Sequence, residues 1–167
     1  MSVKTEIEQW DGKSANAIGM IYERHHHDPS FISETIALIA NASLQKGATW
    51  LLKRYLENKN KIADDQVSKI YEKLGALEQW ESRLHILQCL PFMPITKPEK
   101  RKVELFLRSC LADNNKFVRA WAYNGFYELA VRYPEHEKET RQFFEMAMRD
   151  EAPSVKSRIR NIMKKGF

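Results

Sequence analysis

Three observations predict an all-α fold, specifically a right-handed α-solenoid of about four antiparallel helix pairs plus an N-terminal capping helix. A near-repeat is the first. Asp113, Val118, Arg119 and Ala122 are echoed 37 residues on by Asp150, Val155, Lys156 and Ile159. A period of this size in a helically patterned chain marks stacked hairpins rather than one closed core. The second is that no segment alternates apolar and polar residues as a half-buried strand does. The third is the scarcity of helix breakers: the 6 Gly and 6 Pro of 167 residues fall mostly between periodic segments.

The elements follow in order. Asp11 to Ser14 precede a helix at about 14–26, with Ala17, Ile18, Ile21 and Tyr22 on one face. Asp28-Pro29 reads as an N-cap followed by proline at the first helical position. The helix it opens, 29–43, carries Ile32, Ile36, Ile39 and Ala40 at helical spacing. Gln45-Lys46-Gly47 reads as punctuation before a helix over 48–57 with Trp50, Leu51 and Tyr55 on its apolar side. Asp64 and Asp65 open the next, ending near Gly75, and residues 79–90 form another, closed by Pro91 and Pro94. Pro98 starts a helix to 112 with Val103, Leu105, Phe106, Leu107 and Leu111. The longest helix, 117–133, is stopped by Pro134; 135–149 and 153–165 complete the chain. Pairing 29–43 with 46–57, 64–76 with 79–90, 98–112 with 115–132 and 135–149 with 153–165 gives the four hairpins. The helix at 14–26 is left as the cap. Residues 1–167 are read as one domain, with 1–13 a flexible lead-in. One hairpin cannot bury its own apolar face, so neighbours must stack.

Composition narrows the class. With 43% hydrophobic and 29% charged residues, the chain has enough apolar material for a core and is not of disordered type. No apolar run reaches the ~20 residues of a membrane span, and Met1 to Trp10 is too polar for a secretory signal. Cys89 and Cys110 form no CxxC pair, which fits reduced thiols and a cytoplasmic location. Neither a cofactor nor a metal is expected. His25-His26-His27 point three ways around a helix, whereas paired ligands want i, i+4 spacing.

The segment Val118-Arg119-Ala120-Trp121-Ala122, followed by Gly125, Phe126, Leu129 and Ala130, resembles the second helix of a HEAT repeat. The resemblance is best at 113–130 and 150–163. Weaker units align through Arg83, Ile86, Gln88 and Leu90, and through Ala48, Leu51, Lys53 and Tyr55. It implies a structural ladder in which Asp113 and Asp150 meet Arg119, with Arg83 and Lys156 at equivalent positions; a ligand-binding basic row is the other reading of these residues. It also implies a concave face lined by second helices. In register there stand Lys53, Gln88, Asn124 and Asn161, flanked by Tyr123, Tyr127, Arg160 and Lys164, the candidate partner-binding row. The expected function is a non-catalytic scaffold that binds a protein or peptide.

The alternative is a basic solenoid that binds nucleic acid. It is suggested by a net charge of +5 and by Lys156, Arg158, Arg160, Lys164 and Lys165 within one predicted helix. Some HEAT-like proteins resemble alkylpurine DNA glycosylases, which need a carboxylate and aromatic side chains in a basic groove. Trp50, Trp80, Trp121, Tyr123 and Asp113 supply those residue types here, and glycosylase is the only enzyme class the sequence brings forward.

Overall fold

The computed structural model describes residues 1–167 and is helical throughout, with ten α-helices, three 3₁₀ turns and no strand. The contacts divide it into two compact units, Met1–Pro94 and Ile95–Phe167. No helix is long and apolar enough to cross a membrane.

Unit 1 contains α1 (Val3–Gln9), α2 (Ala15–His25), α3 (Phe31–Leu38), α4 (Gln45–Glu57), α5 (Asp64–Glu72) and α6 (Trp80–Cys89), with 3₁₀ turns at Leu74–Ala76 and Leu90–Phe92. α4 packs against α2, α3 and α6, while α3 meets α1 and α5. The core joins Ile7, Ile18, Ile21, Tyr22, Phe31 and Leu51.

The lead-in read as flexible is α1. Ser2 caps it by accepting the Thr5 N–H. Val3 and Ile7, four apart and both buried, pin it down. Two apolar residues among polar ones are a weak periodic signal, yet they suffice where a neighbouring surface is shaped to receive them. That surface is Gly47. It lies inside α4, not in a loop, and a Cβ built there would meet Ile7 Cγ2 at 2.8 Å. Glycine at this position therefore reflects the close approach of α1 rather than a chain turn.

Gln45, also read as punctuation, is the first residue of α4 and is fully buried. Its amide donates to the carbonyls of Ile39 (3.4 Å) and Ala76 (3.0 Å). Its carbonyl oxygen accepts the N–H groups of Glu78 (2.7 Å) and Gln79 (3.2 Å). One side chain thus satisfies loop backbone leading into α6, which apolar packing alone would leave unpaired. Asp28 caps a turn instead of a helix: its carboxylate takes the Ser30 N–H and hydroxyl, and α3 begins only at Phe31.

Unit 2 contains α7 (Lys97–Leu111), α8 (Lys116–Arg132), a 3₁₀ turn at Pro134–His136, α9 (Glu137–Asp150) and α10 (Pro153–Met163). α8 packs against α7, α9 and α10. Surrounded on several sides, it buries Val118, Ala120, Ala122, Phe126, Leu129 and Ala130, with apolar residues all round rather than on one stripe. Leu105, expected on the apolar side of α7, is exposed.

Polar ties between elements distant in sequence recur at nearly constant separation. In unit 1, Tyr22 is bonded by Asn58 (36 residues apart), Lys46 by Glu81 (35) and Thr49 by His85 (36). In unit 2, Lys100 meets Glu135 (35), Arg119 meets Glu151 (32) and the Tyr133 hydroxyl donates to the Ile95 carbonyl (38).

Two substitutions test these constraints. Gln45→Ala should lower the unfolding free energy by about 3 kcal/mol, because it orphans buried loop groups and leaves a cavity. Urea denaturation with an unchanged m-value measures it. Gly47→Ala gains up to ~1 kcal/mol of helix propensity but forces a stiff β-branched neighbour aside. We expect a net loss of about 1 kcal/mol, reduced when Ile7→Ala is present, as a double-mutant cycle would show.

Candidate functional site

The ladder residues hold turns, with partners that differ from those expected. Arg83 Nε donates to the Leu77 carbonyl, six residues back. Arg119 Nη1 donates to the Asp113 carbonyl, also six residues back, so the two arginines occupy equivalent places. The charge partner of Arg119 is Glu151, whose oxygens lie 3.0 and 3.1 Å from Nε. It is not the Asp113 or Asp150 carboxylate. Asp113 accepts the Asn115 N–H, and Asn115, not Asp113, caps α8 through the N–H groups of Phe117 and Val118. Asp150 ends α9 and is exposed. The reason is geometric: the carboxylate one residue further on sits in the α9–α10 turn, where a guanidinium one turn into α8 reaches it. Lys156 aligns with Arg119 by sequence but makes no such bond.

The expected partner-binding row separates on inspection. Lys53 and Gln88 belong to unit 1, and both are half-buried; Lys53 is paired with Glu57 at 2.9 Å. Asn124 is only 3% exposed, so it is a core residue of α8. Tyr123 packs its ring edge on Phe144, and burial pushes its hydroxyl pKa up. Tyr127 packs on Phe167. Both tyrosines border the cluster of Phe144, Ala147, Val155, Ile159 and Ile162, so they cement α8, α9 and α10. Only Arg160, Asn161 and Lys164 stand exposed as the row requires.

A different surface emerges beside them. The Arg158 guanidinium lies 4.1 Å from the centre of the Trp121 indole, and Lys165 lies 5.5 Å from the Tyr127 ring. These pairs are 37 and 38 residues apart, the spacing of the near-repeat. One turn before Trp121 on α8, Phe117 is 45% exposed, with Lys116 at 5.4 Å from its ring. Lys156, Arg158, Arg160, Lys164 and Lys165 have no carboxylate partner, whereas Arg108, Arg119, Arg132 and Arg141 do. Unit 2 holds sixteen Lys and Arg against ten Asp and Glu, and unit 1 eleven against twelve. The chain's positive excess therefore resides in unit 2. Partial burial without a counter-charge pulls the Arg158 pKa down. The α10 cations are legible in the sequence; Trp121, which helical spacing assigns to the core, is not, though its i, i+4 spacing from Phe117 is an available signal.

Two other titratable clusters are spoken for. Glu104, His136 and Glu139 bring ligand-type atoms within 4.8 Å of one another. Arg108 bridges the two carboxylates at 3.0 and 2.5 Å, so the group works as an ion network between α7 and α9. Burial of Glu104 is outweighed by its bonds from Arg108 and Arg101, and its pKa is held low. In unit 1, His85 Nδ1 lies 3.0 Å from the Thr49 hydroxyl, which donates to the Gln45 carbonyl at 2.8 Å. Burial, with Lys53 and Lys46 nearby, lowers the His85 pKa to about 3. Cys89 is wholly buried, which pushes its thiol pKa up. Neither group is ionised at neutral pH.

No family model, no curated protein and no solved structure matches the chain.

His85 makes a pH prediction. Its folded pKa lies below the unfolded value of about 6.5, so the unfolded state binds the extra proton between those values. Its contribution is complete above about pH 6.5 and falls as the pH drops toward 3, at up to ~1.4 kcal/mol per pH unit. Urea titrations over pH 4–7 should show this slope, and His85→Gln should flatten it.

Proposed function

We propose that this chain is a non-catalytic HEAT-like scaffold that binds an anionic macromolecular partner on the α8–α10 face of unit 2. The observation that carries the reading is a set of five cations on α10 and just past its end without carboxylate partners, in a unit whose other guanidinium groups are mostly paired. Unpaired cations concentrated along one helix are the electrostatic footprint of a polyanion site. The repeat reading is supported within each unit by polar ties 31 to 38 residues apart and by the equivalent six-residue bonds of Arg83 and Arg119. Ties of this spacing are expected where successive helix pairs stack in a right-handed solenoid. Base-excision chemistry forms no part of the proposal: Asp113 is engaged in the α7–α8 turn and Tyr123 in packing.

A protein or peptide partner is the second reading. It is favoured by a cavity of about 330 Å³ lined by Phe144, Met148, Met163 and Phe167, with Arg141 and Glu145 at its rim. Such apolar lining suits a side-chain anchor.

The polyanion reading is tested by retention of the intact chain on immobilised heparin. We expect elution well above 0.15 M salt, and much earlier elution for Arg160→Ser/Lys164→Ser/Lys165→Ser with unchanged circular dichroism. These three side chains are exposed, so the fold should persist. Elution of wild type and variant together, or failure of wild type to bind, would overturn the reading.

A further inference from the structure

We infer that the α8–α10 face of unit 2 takes a single strand of nucleic acid, with bases stacked against Phe117 and the Arg158–Trp121 pair and phosphates held by the cations on and just past α10. The inference rests on the polyanion reading above and names the polyanion. An acidic peptide would be satisfied by cations alone and would have no use for an exposed Phe117 ring. A duplex would offer phosphates but keep its bases stacked inside. A single strand presents both phosphates and unpaired π-faces, and sites for it combine a basic track with aromatic platforms.

The geometry supplies both parts on neighbouring helices. Phe117 and Trp121 are one turn apart on α8, so their rings lie on one side of the helix. Phe117 is 45% exposed, although nothing in its position on the first turn of α8 calls for an aromatic ring. Trp121 is half-buried, which fixes its indole in place, and Arg158 lies over it at 4.1 Å. A planar guanidinium stacked on an indole extends the stacking surface and brings its own N–H donors to phosphate or base edges. Asn161, exposed one turn along from Arg158, adds an amide with both donors and an acceptor. Arg160, and Lys164 and Lys165 just past the end of α10, add exposed positive charge. Arg158 is partly withdrawn from water with no carboxylate beside it, so an arriving phosphate would supply the missing counter-charge.

Fluorescence anisotropy of the full chain tests the inference, with fluorescein-labelled dT12 and rU12 as probes and a 12-base-pair duplex and polyglutamate as competitors. Either labelled strand should bind, and comparing them shows which sugar is preferred. Unlabelled dT12 should compete at least tenfold better than duplex or polyglutamate. Phe117→Ala, at an exposed ring, and Trp121→Leu, which keeps an apolar side chain, should each weaken binding about tenfold while leaving the salt slope unchanged. Arg160→Ser/Lys164→Ser should instead shallow the log Kd against log salt slope by about 0.7 for each phosphate that is no longer neutralised. Polyglutamate or duplex competing as well as dT12, with both ring variants binding like wild type, would overturn the single-strand inference and leave the polyanion reading standing. Absence of binding to every anion would overturn both.

Discussion

Within each unit, loop carbonyls and amides are satisfied by a polar side chain from a helix beside them. Burying such groups unpaired costs on the order of 1–3 kcal/mol each. In unit 1 the solution is Gln45, whose buried amide receives and donates along the approach to α6. In unit 2 it is Arg119, which binds its own turn through Asp113 and Asn114 and the next turn through Glu151. The apolar faces follow the same logic. α4 and α8 are covered on several sides, and the clusters around Leu51 and Ile159 close only because helices from successive hairpins contribute to them. Register is therefore set twice, by polar ties at the loops and by interdigitated side chains between the helices.

The same pairing logic sets the α10 cations apart. Carboxylates are placed where they tie neighbouring elements: Glu81 with Lys46, Glu135 with Lys100, Glu139 with Arg108, Glu151 with Arg119. α10 has neighbours on α8 and α9 but receives none of these acids for its own cations. Its charge is therefore not consumed by folding. Arg158 lies over Trp121, a ring that the core only partly uses.

Most helices are legible in the sequence because long periodic segments declare themselves: α7 through α10 lie within two or three residues of expectation. The departures have particular physical causes. α1 escapes a periodic reading because two apolar residues in seven are a weak pattern, decisive only when Gly47 makes room for Ile7. Gln45 and Gly47 resemble loop residues because glycine and amides are common there, whereas here one is buried and bonded and the other is in close contact. The candidate row is half legible. Helical spacing places Arg160, Asn161 and Lys164 outward, but it does not distinguish a tyrosine on a surface from one wedged between α8 and α9.

By itself the sequence determined the all-helical class, the 37-residue echo, and the concentration of positive charge near its end, because each depends on residue type and spacing along the chain. Tertiary structure alone decided that Glu151 answers Arg119, that Asn124 is core, and that Arg158 covers Trp121. Those facts depend on which side of a helix a neighbour covers and on sub-turn differences in where a carboxylate lies. A helical period constrains rotation about the helix axis only to within roughly a residue, and a hydrogen bond demands closer placement than that.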